Sequence, residues 1–262
     1  MLLDEIISNK KTEVNNLKDQ FRHITISNLA EAFPQSRDFR AAIGKPGRIG
    51  LIAELKKASP SAGLIRENYE PVTLAKIYEA GGASAVSVLT DGPFFQGLLG
   101  HLKQVKEATI IPILRKDFII DELQVYESRL AGADAILLIL RILDDNQLKK
   151  LLETALKIKL APLIEVHNET EAERALANGA EIIGINNRDL DSLKVDFSLS
   201  LKLPEKYPEL KNKILVSESG IQSASQINEL ESAGFKAVLI GETLLKSNDI
   251  GAKIKELLGI SS

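Results

Sequence analysis

The chain has 262 residues, of which 44% are hydrophobic and 26% are charged, and its net charge is −3 at pH 7. This balance is typical of a globular protein and excludes a general binder of nucleic acid or membrane surfaces, which would carry an excess of basic residues. The absence of cysteine excludes disulfides, thiolate metal sites and a cysteine nucleophile. The charged opening MLLDEIISNKKTEV predicts no signal peptide, and no apolar run approaches the roughly 20 residues of a membrane span, so we expect a cytoplasmic protein.

The N-terminal part of the chain differs from the rest because it has no strand-like segments. The stretch DEIISNKKTEVNNLKDQ predicts a charged amphipathic helix, and residues 28–33 predict a second, short helix. No flexible linker follows. We therefore expect residues 1–45 to be a helical extension packed on a domain formed by residues 46–262. Two roles for the extension stay open: it covers the domain, or it helps to form a substrate cleft.

From about residue 49 onward, short apolar segments rich in β-branched residues alternate with longer amphipathic ones. Each short segment is too short for a helix and apolar at consecutive positions, which is typical of strands in a buried parallel sheet. These predicted strands cover residues 49–55, 85–89, 111–114, 135–140, 162–166, 182–185, 214–216 and 237–240. Helical patterns lie between them at residues 98–108, 121–130, 146–160, 169–177 and 225–233.

A glycine that ends a helix just before a strand recurs in AGGASAVSV, AGADAILLI, ANGAEIIGI and AGFKAVLIG. Glycine allows the left-handed turn after a helix, so the repetition indicates one repeating βα unit with right-handed crossovers. An open doubly wound sheet would also alternate in this way, but about eight units in this length favour a closed barrel. The sequence therefore predicts an α/β protein, a (β/α)8 TIM barrel with an N-terminal helical extension, in which residues 1–262 form a single domain.

Polar residues follow the predicted strands, at the barrel end where active sites of this fold lie. Glu54 and Lys56 are two apart on a strand, so their side chains point the same way. One such pair is as compatible with a rim salt bridge as with a function, but the convergence of Lys116, Glu165 and Arg188 from other strand ends favours a functional site. The three histidines are scattered without metal-binding spacing, so we expect no metal site.

Glycines follow the seventh and eighth predicted strands, in SESG and IGE. In this fold the ends of these strands are the customary place for a phosphate group, and a short helix predicted at residues 242–245 would direct its N-terminus there. Together these features predict a phosphate site.

Seven segments carry the most specific residue patterns: IAELKKASPSAG, SVLTDGPFFQG, PILRKDFIID, PLIEVHNE, IGINNRDL, LVSESGI and VLIGETLL. In order and spacing they resemble the strand-end motifs of the indole-3-glycerol phosphate synthase family, and LDEIISNKKTEV resembles the N-terminal helix of that family. The resemblance implies a lyase of tryptophan biosynthesis that closes the ring of 1-(2-carboxyphenylamino)-1-deoxyribulose 5-phosphate. Carbon dioxide and water are lost, and no cofactor or metal is implied.

The resemblance also implies roles for individual residues. Lys116 corresponds to the general acid that protonates the substrate carbonyl, and an ammonium group suits a step in which negative charge develops. Lys56 corresponds to the group that holds the substrate carboxylate, and Glu165, assisted by Glu54, to the acid–base residue of the dehydration. The division of proton transfers between Lys56 and Lys116 stays open.

Further contacts implied by the resemblance are best described by the part of the substrate that they hold. They are Asn186 and Ser219 for hydroxyls or catalytic groups, so that both are also expected to be catalytic, Ser59 and Arg188 for the carboxylate, Gly220 and Gly241 for the phosphate, Phe95, Phe118, Leu137 and Leu190 for the aromatic ring, and Glu218 and Glu242 beside them. Two residues depart from the family pattern. Glu242 stands where some members have Ser or Thr near the phosphate, and Ala62 stands where a basic residue often precedes the loop glycine.

The alternatives to this interpretation are another phosphosugar barrel enzyme and a non-catalytic barrel scaffold. Phosphoribosylanthranilate isomerase typically uses a cysteine base, which this chain lacks. The related histidine-pathway isomerase needs paired aspartates at the ends of the first and fifth strands, and those ends here carry Glu54, Lys56 and Glu165. A non-catalytic barrel scaffold would not require both Lys116 and Glu165. The expected partner is a phosphosugar–anthranilate substrate, with no nucleic acid and no membrane. We expect a monomer or weak homodimer, with other tryptophan-pathway enzymes as candidate partners.

Overall fold

A closed barrel of eight parallel strands forms the body of the protein. The computed structural model describes residues 2–23 and 29–260. The strands are β1 (Gly50–Leu55), β2 (Ala85–Leu89), β3 (Ile113–Lys116), β4 (Ala135–Ile139), β5 (Ala161–Val166), β6 (Ile182–Asn186), β7 (Ile214–Glu218) and β8 (Ala237–Ile240). Neighbours in the barrel follow chain order, and β8 closes it by pairing with β1. The predicted (β/α)8 TIM barrel is confirmed.

Helices precede the barrel and follow each of its strands. They are α1 (Leu2–Phe21), α2 (Phe39–Ile43), α3 (Pro71–Gly81), α4 (Gly100–Ala108), α5 (Glu122–Leu130), α6 (Asp145–Lys157), α7 (Glu169–Ala177), α8 (Ser198–Lys206), α9 (Ala224–Ser232), α10 (Glu242–Leu245) and α11 (Ile250–Leu258). Short 3-10 turns occur at Ala30–Ala32, Leu140–Ile142 and Pro208–Asn212, and Ala58–Ser59 pairs with Gly63–Leu64 in a small antiparallel hairpin after β1.

Two predicted elements differ from the structure. The third strand was predicted at residues 111–114, but β3 pairs with β2 through Ile113–Lys116. The carboxyl end of β3 did not look like a strand in the sequence, because it contains Arg115 and Lys116. In the structure Arg115 is buried on the outer side of the barrel, where Asp117 and Glu127 pair with it. The short helix predicted at residues 28–33 is a 3-10 turn at Ala30–Ala32, and residue 28 itself lies outside the described residues.

Alternation along the strands separates two hydrophobic cores, as the two-residue period of a β-strand requires. One cluster fills the inside of the barrel and includes Ile52, Leu163 and Val216. The other lies between the strands and the helices and includes Leu51 and Ile164. The next inward position after each of these interior residues is occupied by a carboxylate. The barrel interior therefore changes from apolar to charged at the carboxyl ends of the strands.

The amino end of the barrel is closed by α2. Phe39 and Ile43 belong to the interior cluster, and the Asp38 carboxylate caps the helix by accepting a hydrogen bond of 2.8 Å from the Ala41 N–H. The packing is tight, because a Cβ on Gly50 would lie 2.7 Å from the carbonyl oxygen of Ile43. With this end closed, a ligand enters from the carboxyl end.

Helix α1 lies at that carboxyl end. Its buried face consists of Ile6, Lys10, Val14 and Leu17, which recur every three to four residues. Lys10 is 1% exposed, and its Nζ lies 2.8 Å from Asp117 Oδ1 and 3.1 Å from Asp91 Oδ2. Since both aspartates follow strands of the barrel, α1 is tied to the mouth of the barrel. Within the described part of the chain, no helix combines the length and apolar character needed to cross a membrane.

Candidate active site

A cavity of about 770 Å³ opens at the carboxyl ends of the strands. All the side chains and glycines that the sequence singled out lie in its wall: Glu54, Lys56, Ser59, Phe95, Lys116, Phe118, Leu137, Glu165, Asn186, Arg188, Leu190, Glu218, Ser219, Gly220, Gly241 and Glu242. They come from all eight strands or the loops after them, so the closed barrel is what brings them together.

Lys116 lies between two buried carboxylates. Its Nζ is 3.0 Å from Glu165 Oε2 and 3.3 Å from Glu218 Oε2. Burial alone would lower the pKa of Lys116, but the negative charges of Glu165, Glu218 and Glu54 outweigh it and raise this pKa above its ordinary value. The side chain is therefore an ammonium group at neutral pH, held where it is able to donate a proton into the cavity.

The two carboxylates beside Lys116 differ in their affinity for a proton. Burial would raise the pKa of Glu165, but Lys116 and His167 hold it well below its ordinary range. Burial raises the pKa of Glu218 to about 7, against the attraction of Lys116. Glu165 is thus an anion, while Glu218 is partly protonated at neutral pH. Neighbouring groups whose pKa values are pushed apart are typical of acid–base sites.

A second ion pair lies on β1 and the residue after it. Lys56 Nζ is 2.6 Å from Glu54 Oε2, and the Glu54 side chain is buried. Gly241, after β8, makes room for this carboxylate, because a Cβ there would overlap Glu54 Oε2. The glycine that the sequence suggested for a phosphate site therefore also has a packing role.

Ser219 and Gly220 form a tight turn after β7, with φ values of 67° and 79°. The Ser219 hydroxyl donates to Asn186 Oδ1 at 2.9 Å, and the Arg188 N–H donates to the same oxygen at 3.0 Å. Behind them, the Asn187 amide donates to the Ser219 carbonyl at 3.0 Å. A left-handed conformation at a non-glycine residue costs energy and is found where surrounding contacts impose it, often at functional sites.

Two lysines that the sequence analysis did not single out also line the cavity. Lys246 Nζ lies 2.6 Å from Glu242 Oε1, and Lys253 comes from α11. Arg188 Nη2 is 3.7 Å from Glu242 Oε2. The carboxylate of Glu242, the first of the two departures from the family pattern, is thus accompanied by two cations. Lys246 follows Glu242 by four residues, a spacing that could have suggested the pair.

The opposite wall is apolar. Phe95 and Phe118 lie with ring centroids 6.1 Å apart. Leu2, Leu3 and Ile6 of α1 complete this wall, so of the two roles left open for the extension the structure favours a share in forming the cleft. Their helical spacing was visible in the sequence, but not the surface against which they pack.

The loop after β1 carries the second departure from the family pattern. Ala62 lies in the turn of the small hairpin, where its N–H donates to Ser59 Oγ at 3.2 Å.

Within residues 2–23 and 29–260, no group of three or more histidine, cysteine, aspartate or glutamate side chains is arranged to hold a metal ion.

Comparison with known proteins connects this geometry to one family. A family model described as indole-3-glycerol phosphate synthase matches residues 3–257. The chain is 49% identical to the indole-3-glycerol phosphate synthase of Chlorobium phaeovibrioides, over 95% of this chain and 96% of that protein. It is 45% identical to that of Roseiflexus sp., over 98% of each chain, and 46% identical to that of Caldanaerobacter subterraneus, also over 98% of each.

Solved structures with little sequence identity share the fold. Thiamine phosphate pyrophosphorylase from Pyrococcus furiosus superimposes with a TM-score of 0.60 at 16% identity, covering 80% of this chain and 94% of that one. For 3-hexulose-6-phosphate synthase from Salmonella typhimurium the TM-score is 0.61 at 13% identity, covering 81% of this chain and 98% of that one. Likeness at this level concerns the barrel alone, since one fold hosts many functions. By the family match across nearly its whole length, and by relatives at 45–49% identity, the chain belongs to the indole-3-glycerol phosphate synthase family.

Proposed function

We propose that this chain catalyses ring closure of 1-(2-carboxyphenylamino)-1-deoxyribulose 5-phosphate to indole-3-glycerol phosphate in the cavity at the carboxyl ends of the strands. This is a carboxy-lyase reaction of tryptophan biosynthesis, and it is the reaction of the family to which the chain belongs. The observation that carries the site assignment is the Lys116 ammonium between Glu165 and Glu218, inside a cavity with one apolar wall and one basic corner.

The substrate has three parts that the cavity is suited to receive. Its aromatic ring fits the apolar wall beside Phe95 and Phe118. Its carboxylate faces Lys56, and its phosphate lies at the turn formed by Ser219 and Gly220, where Lys246, Lys253 and backbone N–H groups supply positive potential. This orientation places the ribulose carbonyl in the centre of the cavity, near Lys116.

In the first step, the ring carbon that bears the carboxylate attacks the C2 carbonyl of the ribulose. A carbon–carbon bond forms, and the carbonyl oxygen takes a proton from Lys116 to become a hydroxyl. The bond to the carboxylate then breaks, carbon dioxide leaves, and its electron pair restores the aromatic ring. Lys116 stabilises the oxygen as its charge develops and ends the step as a neutral amine.

In the second step, water is lost. Glu165 removes a proton from ribulose C1, and a double bond forms between ribulose C1 and C2, which become C2 and C3 of the indole. The hydroxyl on ribulose C2 departs as water with a proton from Lys56. The low pKa of Glu165 keeps it ionised, and once Lys116 has become a neutral amine the loss of that positive charge raises the affinity of Glu165 for the proton from C1. Overall, one proton is taken from solvent, because a carboxylate is replaced by neutral carbon dioxide.

The direct test is a fluorescence assay of the purified protein with the anilino-deoxyribulose phosphate. We expect an indole chromophore to appear at an undiminished rate in the presence of a metal chelator. Formation of a ketose isomer alone, or no product with the folded protein, would contradict the proposal. The location in the cytoplasm, the oligomeric state and docking of other pathway enzymes stay predictions from the sequence.

Gly184 offers a test of the contact between Glu218 and Lys116. A Cβ on Gly184 would overlap Glu218 Oε1, which has no hydrogen-bond partner among the described residues. In Gly184→Ala we expect the flexible carboxylate to move away from Lys116, so that kcat/KM falls about tenfold or more, while stability falls by roughly 1–3 kcal/mol.

The matched control is Gly100→Ala, because a Cβ at Gly100 would meet no atom within 4 Å. Steady-state kinetics and thermal melting of both variants check the prediction. Unchanged kinetics in Gly184→Ala would mean that the position of Glu218 does not matter for turnover.

A further inference from the structure

His167 lies two residues after Glu165, beyond the end of β5, and its side chain is only 3% exposed. The imidazole lies between two carboxylates. Nε2 is 3.1 Å from Glu165 Oε1, and Nδ1 is 3.2 Å from Glu171 Oε2. The ring therefore joins the cavity carboxylate to a second, buried carboxylate that does not line the cavity.

Glu171 is itself held rigidly in the first turn of α7. Its Oε2 accepts a hydrogen bond of 2.8 Å from the backbone N–H of His167, and its Oε1 accepts one of 2.8 Å from Asn168. The Glu171 N–H donates in turn to Asn168 Oδ1 at 2.9 Å, which caps the helix. Both the backbone and the ring of His167 are thus fixed by Glu171, so the direction in which Nε2 points is determined by the start of α7.

We propose that His167 is a positioning residue, a protonated imidazolium that keeps Glu165 ionised and oriented while Lys116 gives up its proton. This inference rests on the proposed function, because it concerns the same acid–base site. His167 does not line the cavity, and it acts through Glu165.

The charge balance around Glu165 changes when Lys116 loses its proton. Glu165 has a side chain that is 1% exposed, and its Oε2 is held by Lys116 at 3.0 Å. When Lys116 donates its proton to substrate, that positive charge disappears, and a buried carboxylate left without a cation is costly. Before that donation, the competing reaction is direct transfer of the Lys116 proton to Glu165, which would remove the acid and the base together. A fixed positive charge on the other oxygen of Glu165 opposes this loss.

The charged groups around His167 favour its protonated form. Glu165 faces it from its own strand and Glu171 from α7, while Lys116 on β3 and Glu218 on β7 lie beyond Glu165. Burial alone would lower the pKa of His167, but its hydrogen bond to Glu171 and its ion pairs with the two adjacent glutamates raise it to about 9. The imidazole is therefore charged below about pH 9 and loses its charge as the pH rises through that value.

The first experiment is an NMR titration of the histidine ring protons in the intact wild-type enzyme. The chain has only three histidines, at positions 23, 101 and 167. The His167 resonance is assigned by its absence in His167→Gln. We expect it to stay in the protonated form to pH 8 and to titrate near 9, and in Glu171→Gln we expect its pKa to fall by about one unit or more. A resonance that titrates near the ordinary value of about 6.5 would overturn the proposal.

The second experiment is the pH dependence of turnover. In His167→Gln we expect kcat to fall about ten- to a hundredfold and KM to change less than about threefold. The acidic limb of the kcat profile should move to higher pH, because Glu165 loses a neighbouring cation. Glu171→Gln should shift this limb in the same direction by a smaller amount. A limb that does not move in either variant, or an effect on KM alone, would leave His167 with a packing role and refute the inference.

The control is His101→Gln. His101 is on α4, where its ring packs at 5.6 Å from that of Tyr69, outside the cavity wall. This variant should retain the wild-type profile. If His167→Gln does not fold, the His167 resonance is assigned by elimination with His23→Gln and His101→Gln, and Glu171→Gln and the wild-type titration still decide the question. The titration does not depend on turnover, so a wild-type enzyme without activity would count against the proposed function and not against the charge of His167.

Discussion

Replacing Lys116 by methionine is expected to lower kcat/KM about a thousandfold or more, chiefly through kcat. Methionine keeps much of the side-chain volume but removes both the proton donor and the positive charge beside Glu165 and Glu218. Both functions are needed at the same moment, when the carbonyl oxygen becomes an anion. Steady-state kinetics by indole fluorescence measures the effect, and far-UV circular dichroism checks that the variant is folded.

Lys103→Met is the matched control, since Lys103 is exposed on α4 away from the cavity, and this variant should keep wild-type activity. Lys56→Met separates the two lysines of the site. If Lys56 holds the substrate carboxylate, its loss raises KM more than the loss of Lys116 does, whereas Lys116→Met lowers kcat more. Turnover by Lys116→Met within about tenfold of wild type would refute the role of Lys116 as general acid.

Replacing Lys10 by methionine is expected to cost about 3–5 kcal/mol of the free energy of unfolding, because it leaves buried carboxylates without their cation. Asp91 is 0% exposed and Asp117 is 3% exposed, and both lie within 3.1 Å of the Lys10 ammonium. Burial would raise the pKa of Asp117, but Arg115 and Lys10 hold it at about 2. After the substitution, Asp117 keeps Arg115 as a partner, so most of the cost falls on Asp91.

Urea unfolding at neutral pH measures this loss of stability, with Lys11→Met as the control. Lys11 is the next residue of α1 and is exposed, so its replacement should change stability by less than about 0.5 kcal/mol. A loss below about 1 kcal/mol in Lys10→Met would show that water or a shift of α1 satisfies Asp91 at little cost. A gain would show that the ion cluster is weaker than a well-packed apolar contact there.

The barrel could be predicted because its evidence is local. Short apolar segments, helix-ending glycines and their repetition are each visible in a window of a few residues, and eight such units admit few architectures. One prediction that failed concerns a strand whose position depends on contacts between residues far apart in the sequence. Arg115 made β3 look polar, although its buried guanidinium is paired with Asp117 and Glu127.

The wall of the cavity could also be predicted, because strand ends in a parallel barrel meet at one rim. The protonation states of the side chains in this wall could not be predicted from the sequence. Whether Glu165 or Glu218 holds the proton depends on which of them faces His167, and nothing in the sequence states this. The place of α1 was equally hidden, since an amphipathic pattern identifies the buried face of a helix but not the surface that covers it.

Glu218 Oε1 is buried without a hydrogen-bond partner in the described part of the chain, which costs stability at the same place where turnover depends on Glu218. Three buried carboxylates, Glu54, Glu165 and Glu218, share one barrel mouth with two lysines, and their mutual repulsion is part of what tunes the acid and the base. Neutral residues at these positions would relieve that repulsion and remove the chemistry with it. Substitutions at these positions that raise thermal stability should therefore lower activity. Engineering of more thermostable variants should leave Glu54, Glu165 and Glu218 unchanged.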